Sequence, residues 1–141
     1  MRKFLNDLEK KKLINRLRLY LIEKKEVKFS YIFGSFLSNL PFEDIDIGIY
    51  LDDDFIKNIN KIDYILNLMI FLEEKFKGIE FDVVILNDLP FSFLFHIIKE
   101  GKLLFAREKD KYFDFVLYVI NHYLDMKEVR YHLFKDNLIN N

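Results

Sequence analysis

A chain of 141 residues, 51% of them apolar, is long enough to bury one sizeable core, so its length predicts a single domain over residues 1–141. The formal charge of −1 predicts no extended nucleic-acid-binding surface and no general attraction to an anionic membrane, and without cysteine the chain has neither disulfides nor thiolate metal sites. No apolar run approaches the roughly 20 residues of a membrane span, and charges occupy the start of the chain where a signal peptide is apolar, so we expect a cytoplasmic protein.

The first half of the chain alternates between helical and extended patterns. Apolar residues close to a 3.6-residue period predict a helix from about residue 3 to residue 25. Val27 to Phe33 is then predicted to be a strand that ends at Gly34-Ser35. Between Asp44 and Leu51 every second residue is apolar, which predicts a second strand that ends at the acidic run 52–54.

The second half is predicted to contain, in chain order, a helix, a strand, a short helix, a brief strand and a long helix. Their expected bounds are residues 59–76, 79–86, 90–99, 102–105 and 109–137. Asn60 and Asp63 are candidate caps for the first of these helices, and Gly101 is expected to close the short one. The order of elements predicts an α/β (α+β) fold in which a small mixed β-sheet is flanked by helices, with a long C-terminal helix.

The expected C-terminal helix carries more aromatic residues than one buried face requires. Its tyrosines are Tyr112, Tyr118, Tyr123 and Tyr131. Either the helix only covers the sheet, or part of it docks a partner, because aromatic residues are enriched in protein interfaces. The sequence leaves both interpretations open, together with the oligomeric state.

Two aspartates lie on one face of the predicted second strand. Asp44 and Asp46 are two residues apart, so their backbones are about 6–7 Å apart and their side chains point to the same side. Gly48 follows on that face and is expected to leave room beside them. Two such carboxylates repel each other, and one takes up a proton unless a cation is shared. Oxygen-only ligands favour a hard ion such as Mg²⁺.

Three further residues extend this candidate site. Asp82 interrupts an otherwise apolar strand and is expected to face the same point, which gives the three carboxylates that a two-metal site uses to align an attacking oxygen and a leaving phosphate. Gly34 lets the backbone approach a phosphate closely. Ser35 is expected to cap a short helix whose N–H groups suit an anion. The pattern predicts a triphosphate held between this turn and metals on the acids.

At these residues the chain resembles the DNA polymerase β-type nucleotidyltransferase superfamily, whose signature is Gly-Ser, a spacer, Asp-x-Asp and a later strand aspartate. Its size resembles that of the minimal nucleotidyltransferases. The resemblance implies a nucleotidyltransferase fold and transfer of a nucleoside monophosphate from a triphosphate, with release of pyrophosphate. It assigns metal binding and catalysis to Asp44, Asp46 and Asp82, and phosphate contact to Gly34 and Ser35. ATP is the implied donor, and Mg²⁺ the implied metal, with Mn²⁺ as the alternative.

Many small members of that superfamily are antitoxins, and this resemblance implies a partner. The partner is a helical, ribonuclease-like toxin of the HEPN family, which the antitoxin silences by transferring AMP from ATP to a toxin tyrosine. The chain departs from the family pattern at Leu37-Ser38-Asn39, where members commonly have Ala-Arg-Gly. Two alternatives remain open: an enzyme that modifies a small molecule such as an aminoglycoside, and a non-enzymatic antitoxin that masks its partner by contact alone.

Overall fold

Four strands form one sheet in the computed structural model, which describes residues 2–140. The strands are β1 (Val27–Phe33), β2 (Asp44–Leu51), β3 (Glu80–Ile85) and β4 (Lys102–Ala106). Their spatial order is β3-β2-β1-β4; β2 and β3 run parallel, whereas β1 runs antiparallel to both of its neighbours. The prediction of a small mixed sheet is confirmed, and β1 and β2 have the bounds that the sequence indicated.

The N-terminal residues form a bridge to the middle of the chain before the first helix begins. The Lys3 N–H donates to the Phe42 carbonyl at 2.6 Å, and the Phe42 N–H donates back to the Lys3 carbonyl at 2.8 Å. Helix α1 (Asp7–Ile22) then starts at a capping box, in which the side chains of Asn6 and Glu9 each accept the other residue's backbone N–H. The helix predicted from the sequence was therefore too long at both ends.

The described part of the chain contains four further α-helices. They are α2 (Asp53–Ile56), α3 (Lys61–Lys75), α4 (Phe91–Glu100) and α5 (Lys109–Asn140). Asn60 caps α3 as predicted, because its side chain accepts the Asp63 N–H at 3.0 Å, and Asp63 itself lies in the first turn. Gly101 follows the end of α4, also as predicted. Helix α2 was not predicted: Asp52, expected only to end a strand, accepts two backbone N–H groups and caps it.

Helices cover both faces of the sheet. On one face α1 and α3 pack against Ile45, Ile47 and Ile49, which are fully buried. On the other face α4 and α5 pack against Phe29 and Tyr31. Because successive strand residues point to opposite faces, the even-numbered residues of β2, including both of its aspartates, share the second face.

Helix α5 packs against the sheet through its first half. Val119 is fully buried and Phe115 packs against the sheet, whereas Leu124, Met126 and Tyr131 are exposed. The helix therefore covers the sheet and also presents an exposed apolar and aromatic surface further along, and docking of a partner on that surface stays a prediction. Within residues 2–140, no helix combines the length and the apolar character needed to cross a membrane.

Candidate active site

Strand register brings three carboxylates together at one end of the sheet. In the parallel pairing of β2 with β3, Asp46 lies directly opposite Asp82, and Asp44 lies two residues before Asp46 on the same face. Each of the three offers a carboxylate oxygen, and these oxygens all lie within 4.8 Å of one another. Asp44 and Asp46 are partly buried, whereas Asp82 is exposed. The three acids converge as expected, and Asp82 is the one that faces solvent.

Gly34 makes room for one of these carboxylates. The antiparallel pairing places Phe33, the last residue of β1, opposite Asp46, so the following turn lies against the acid. Gly34 has φ +82°, and a Cβ at this position would lie 2.0 Å from Asp46 Oδ2. Only glycine combines that backbone conformation with that close approach. Gly34 was predicted to admit an approaching phosphate, and the close approach of Asp46 is a second and more local reason for glycine at this position.

Ser35 does not cap a helix, so that prediction was wrong. Gly34 occupies the N-cap position of a short 3-10 helix, Ser35–Leu37, and no side chain caps it. The Ser35 carbonyl instead accepts the Ser38 N–H at 3.0 Å and the Ser38 hydroxyl at 2.7 Å, which closes a tight turn. Ser35 is exposed and lines the same cleft as Asp44.

The expected space beside Gly48 is filled. A Cβ at Gly48 would lie 2.8 Å from Leu86 Cδ2, and Leu86 is almost completely buried. Gly48 therefore admits a core side chain rather than a substrate. The prediction failed because Leu86 lies far away in sequence, and only the packing of β2 against the segment after β3 brings the two residues into contact.

An open cleft begins at the acid cluster and follows the turn. It has a volume of about 280 Å³, and its walls include Ser35, Ser38 and Asp44, with Arg2 from the N-terminal bridge at its edge. A larger hollow of about 470 Å³ lies between the sheet and α5, where it is bounded by Tyr50 among others. Tyr50 is four residues further along β2 than Asp46, about 13 Å away, so this hollow is separate from the acids.

Lys10 holds the turn in place, and sequence reasoning missed it. Its Nζ donates to the Phe36 carbonyl at 2.5 Å and to the Ser38 carbonyl at 2.6 Å. The same ammonium lies over the Phe36 ring, 5.0 Å from its centroid. Lys10 is one of three consecutive lysines in α1, so nothing in the sequence distinguishes it; only the packing of α1 beside the turn does.

The electrostatics of the cluster favour a bound cation. Burial, followed by the charges of Asp44 and Asp82, raises the pKa of Asp46 from 3.8 to about 6. Among the ion pairs formed by the described side chains, none involves these three acids. At neutral pH the cluster therefore carries uncompensated negative charge. Three carboxylate oxygens this close together fit a hard divalent ion, which takes oxygen ligands.

A four-stranded mixed sheet with helices on both faces and three acids beside a glycine turn defines a small α/β nucleotidyltransferase domain. Comparison with protein families agrees. The family described as "Polymerase beta, Nucleotidyltransferase" matches residues 15–110, and this chain belongs to that family. Comparison with curated protein sequences gives no match.

Solved structures share this fold over almost their whole length. A chain from the complex of tri-AMPylated Shewanella oneidensis HEPN toxin with MNT antitoxin aligns with a TM-score of 0.64 and 20% identity, over 90% of this chain and 98% of that one. A chain from a toxin–antitoxin complex with AMP-PNP gives 0.65 and 19%, over 88% and 98%. A chain from the toxin–antitoxin MntA–HepT gives 0.63 and 19%, over 90% and 98%. At this level of identity the likeness establishes a common fold.

Proposed function

We propose that this protein is a metal-dependent nucleotidyltransferase that transfers AMP from ATP to a tyrosine of a HEPN-family toxin, and so acts as the antitoxin of a pair. The observation that carries the proposal is the convergence of Asp44, Asp46 and Asp82 at one end of the sheet. Membership of the nucleotidyltransferase family supports the reaction class. The acceptor and donor are supported by similar structures, one with an AMPylated HEPN toxin and one with AMP-PNP.

The reaction exchanges one bond at phosphorus for another. The acceptor tyrosine oxygen forms a bond to the α-phosphorus of ATP, the bond from that phosphorus to the oxygen bridging to the β-phosphate breaks, and pyrophosphate leaves. The tyrosine proton passes to solvent. Asp82 is the exposed member of the cluster, so it is the carboxylate that an incoming hydroxyl meets first. Its negative charge favours loss of that proton.

The three acids divide two roles between them in this mechanism. Asp44 and Asp46 would hold both divalent ions and, through them, the triphosphate, while Asp82 would complete the site on the acceptor side. Mg²⁺, or Mn²⁺ in its place, would supply positive charge that offsets the triphosphate and activates the attacking oxygen. Gly34 and Ser35 orient the β- and γ-phosphates, and Ser35 lines the cleft that begins beside Asp44.

The shape of the site favours a protein acceptor. The cleft is open and Asp82 is exposed, so the described residues leave the acceptor side unenclosed. The larger hollow is bounded by Tyr50, about 13 Å from Asp46 along β2, and does not contain the three acids. A partner protein brings its own surface to such a site, whereas a small acceptor needs a pocket around the reacting point. We place the reaction in the cytoplasm, where ATP and Mg²⁺ are supplied.

The proposal is tested with purified protein, ATP, Mg²⁺ and a HEPN-family protein as candidate toxin, and a HEPN protein found in the adjacent open reading frame would be the first choice. Mass spectrometry should detect AMP on a toxin tyrosine, and radiolabelled ATP should release pyrophosphate in equal amount. Asp44→Asn combined with Asp46→Asn should abolish both signals. The matched control is Asp53→Asn with Asp54→Asn, which removes the same charge at the far end of β2 and should leave the transfer intact.

Two other outcomes would favour the two alternatives. If the Asp44/Asp46 double variant binds the toxin and still neutralises it, the protein is a non-enzymatic antitoxin. If AMP appears on a small alcohol but on no toxin, the acceptor is a small molecule. Absence of any adduct, under conditions in which ATP binds, would refute the transferase mechanism.

A further inference from the structure

The N-terminal bridge places a cation in the cleft, and we infer that Arg2 is a ligand of the donor's triphosphate. The inference rests on the proposed function, because it requires the triphosphate to occupy the cleft beside Asp44. Arg2 lines that cleft together with Ser35 and Ser38. It reaches them from a different part of the chain, through the pairing of Lys3 with Phe42.

The backbone beside Arg2 is held by the core, although the Arg2 side chain itself is exposed. Phe42 is only 1% exposed, and both of its backbone hydrogen bonds are made with Lys3, the residue next to Arg2. The Phe42 ring meets the Phe36 ring edge to face, with 4.9 Å between their centroids. Phe36 belongs to the turn that starts at Ser35. One buried aromatic pair therefore holds both the arginine-bearing segment and the phosphate-facing turn.

The positive charge of Arg2 suits a bound triphosphate. Among the described residues that line the cleft, Arg2 carries the only positive charge, while Glu43 and Asp44 are negative. Divalent ions held by the acids would be shared between the three carboxylates and the triphosphate, so part of the triphosphate's charge would stay uncompensated. A guanidinium offers several donors in a plane and suits phosphate oxygens, with which it forms charge-assisted hydrogen bonds. Without Arg2, a phosphate bound in the cleft beyond the acid cluster would face only negative or neutral side chains.

Arg2 is free to change its partner. Its Nε lies 3.8 Å from Glu43 Oε1, and both side chains are largely exposed, 72% and 65%. Exposed ion pairs of this length contribute little to stability. A triphosphate carries several negative charges and would be held at a fixed distance from the acids. It therefore competes effectively with Glu43 for the Arg2 guanidinium.

The test measures binding of a non-hydrolysable ATP analogue with Mg²⁺ by calorimetry, using full-length protein tagged at its C-terminus. In Arg2→Gln the dissociation constant should rise about tenfold, and Arg2→Lys should recover part of the affinity. The matched control is Lys3→Gln, which removes the same charge one residue further on. The Lys3 side chain lies beside Gly78 rather than in the cleft, with Nζ 3.5 Å from the position of a Gly78 Cβ, so this variant should bind like the wild type.

Each outcome decides one claim. Equal affinity in Arg2→Gln and the wild type overturns the role of Arg2 and leaves the proposed function standing. Equal losses in Arg2→Gln and Lys3→Gln also overturn it, because they indicate a general charge effect. Failure of the wild type to bind the analogue overturns the proposed function, and this inference with it. Arg2 is exposed, so unchanged melting temperatures are expected and exclude misfolding as a cause.

Discussion

Replacing Asp46 with asparagine should stabilise the metal-free protein while removing its function. Asp46 is partly buried and faces Asp44 and Asp82, and this environment raises its pKa to about 6. An ionised Asp46 therefore costs the folded state free energy at neutral pH. Asparagine has nearly the same shape and carries no charge, so it relieves the repulsion without opening a cavity.

The size of the effect follows from the pKa. A rise in pKa from 3.8 to about 6 is a little over two pKa units. It corresponds to about 3 kcal/mol of unfolding free energy. Because Asp46 is partly exposed, solvent screening reduces this to about 1–2 kcal/mol. In a domain of this size the melting temperature should rise by about 3–6 °C.

The assay is thermal unfolding in EDTA across a range of pH. The folded-state pKa lies above the unfolded value, so the cost of ionisation is fully present above about pH 6 and disappears as the pH falls toward 3.8. The increase in melting temperature of Asp46→Asn over the wild type should show the same dependence on pH. Adding Mg²⁺ should stabilise the wild type and have much less effect on the variant.

A control variant and one contrary result complete the experiment. Asp125→Asn removes a carboxylate from the exposed side of α5 and should change the melting temperature little at any pH. If Asp46→Asn lowered the melting temperature at pH 7.5 in EDTA, Asp46 would be stabilising the fold. The account of a repulsive cluster that requires a cation would then be refuted.

Three further predictions concern the turn and the exposed acid. Gly34→Ala should lower the rate of AMP transfer about 100-fold, because its Cβ displaces the adjoining carboxylate. Gly78→Ala, at φ +83° but with its added Cβ only in ordinary contact with Lys3 Nζ at 3.5 Å, should cost about 1–2 kcal/mol in urea unfolding and leave the rate unchanged. Lys10→Met should leave two turn carbonyls unpaired, cost about 1–3 kcal/mol and raise the KM for ATP, whereas Lys11→Met should do neither. Asp82→Asn should lower kcat by about 10²–10⁴-fold in steady-state assays with saturating ATP, with ATP binding retained.

The contrary outcomes are equally specific. Equal loss of rate in the two glycine variants would mean that backbone strain, rather than the carboxylate contact, explains Gly34. An unchanged KM in Lys10→Met would separate the turn from nucleotide binding. An unchanged kcat in Asp82→Asn would remove that residue from the reaction.

Local patterns predicted the strands well and the helix starts less well. The alternation around Ile45, Ile47 and Ile49 defined β2, because a strand with one buried face repeats every two residues. Asn60 was recognised as a cap because it bonds to a backbone group only three residues away. The start of α1 was misplaced because Lys3 pairs with Phe42, a contact across most of the first half of the chain.

The sequence by itself determined the chemistry of this protein: which residues carry carboxylates, and that Asp44 and Asp46 share a face. These properties depend on residue type and on strand geometry, both of which are local. The tertiary structure alone decided that Asp82 lies opposite Asp46, and that Lys10 and Arg2 lie beside the turn. Strand register and helix packing join segments distant in the chain, and their free energy comes from the whole core rather than from any short stretch of residues.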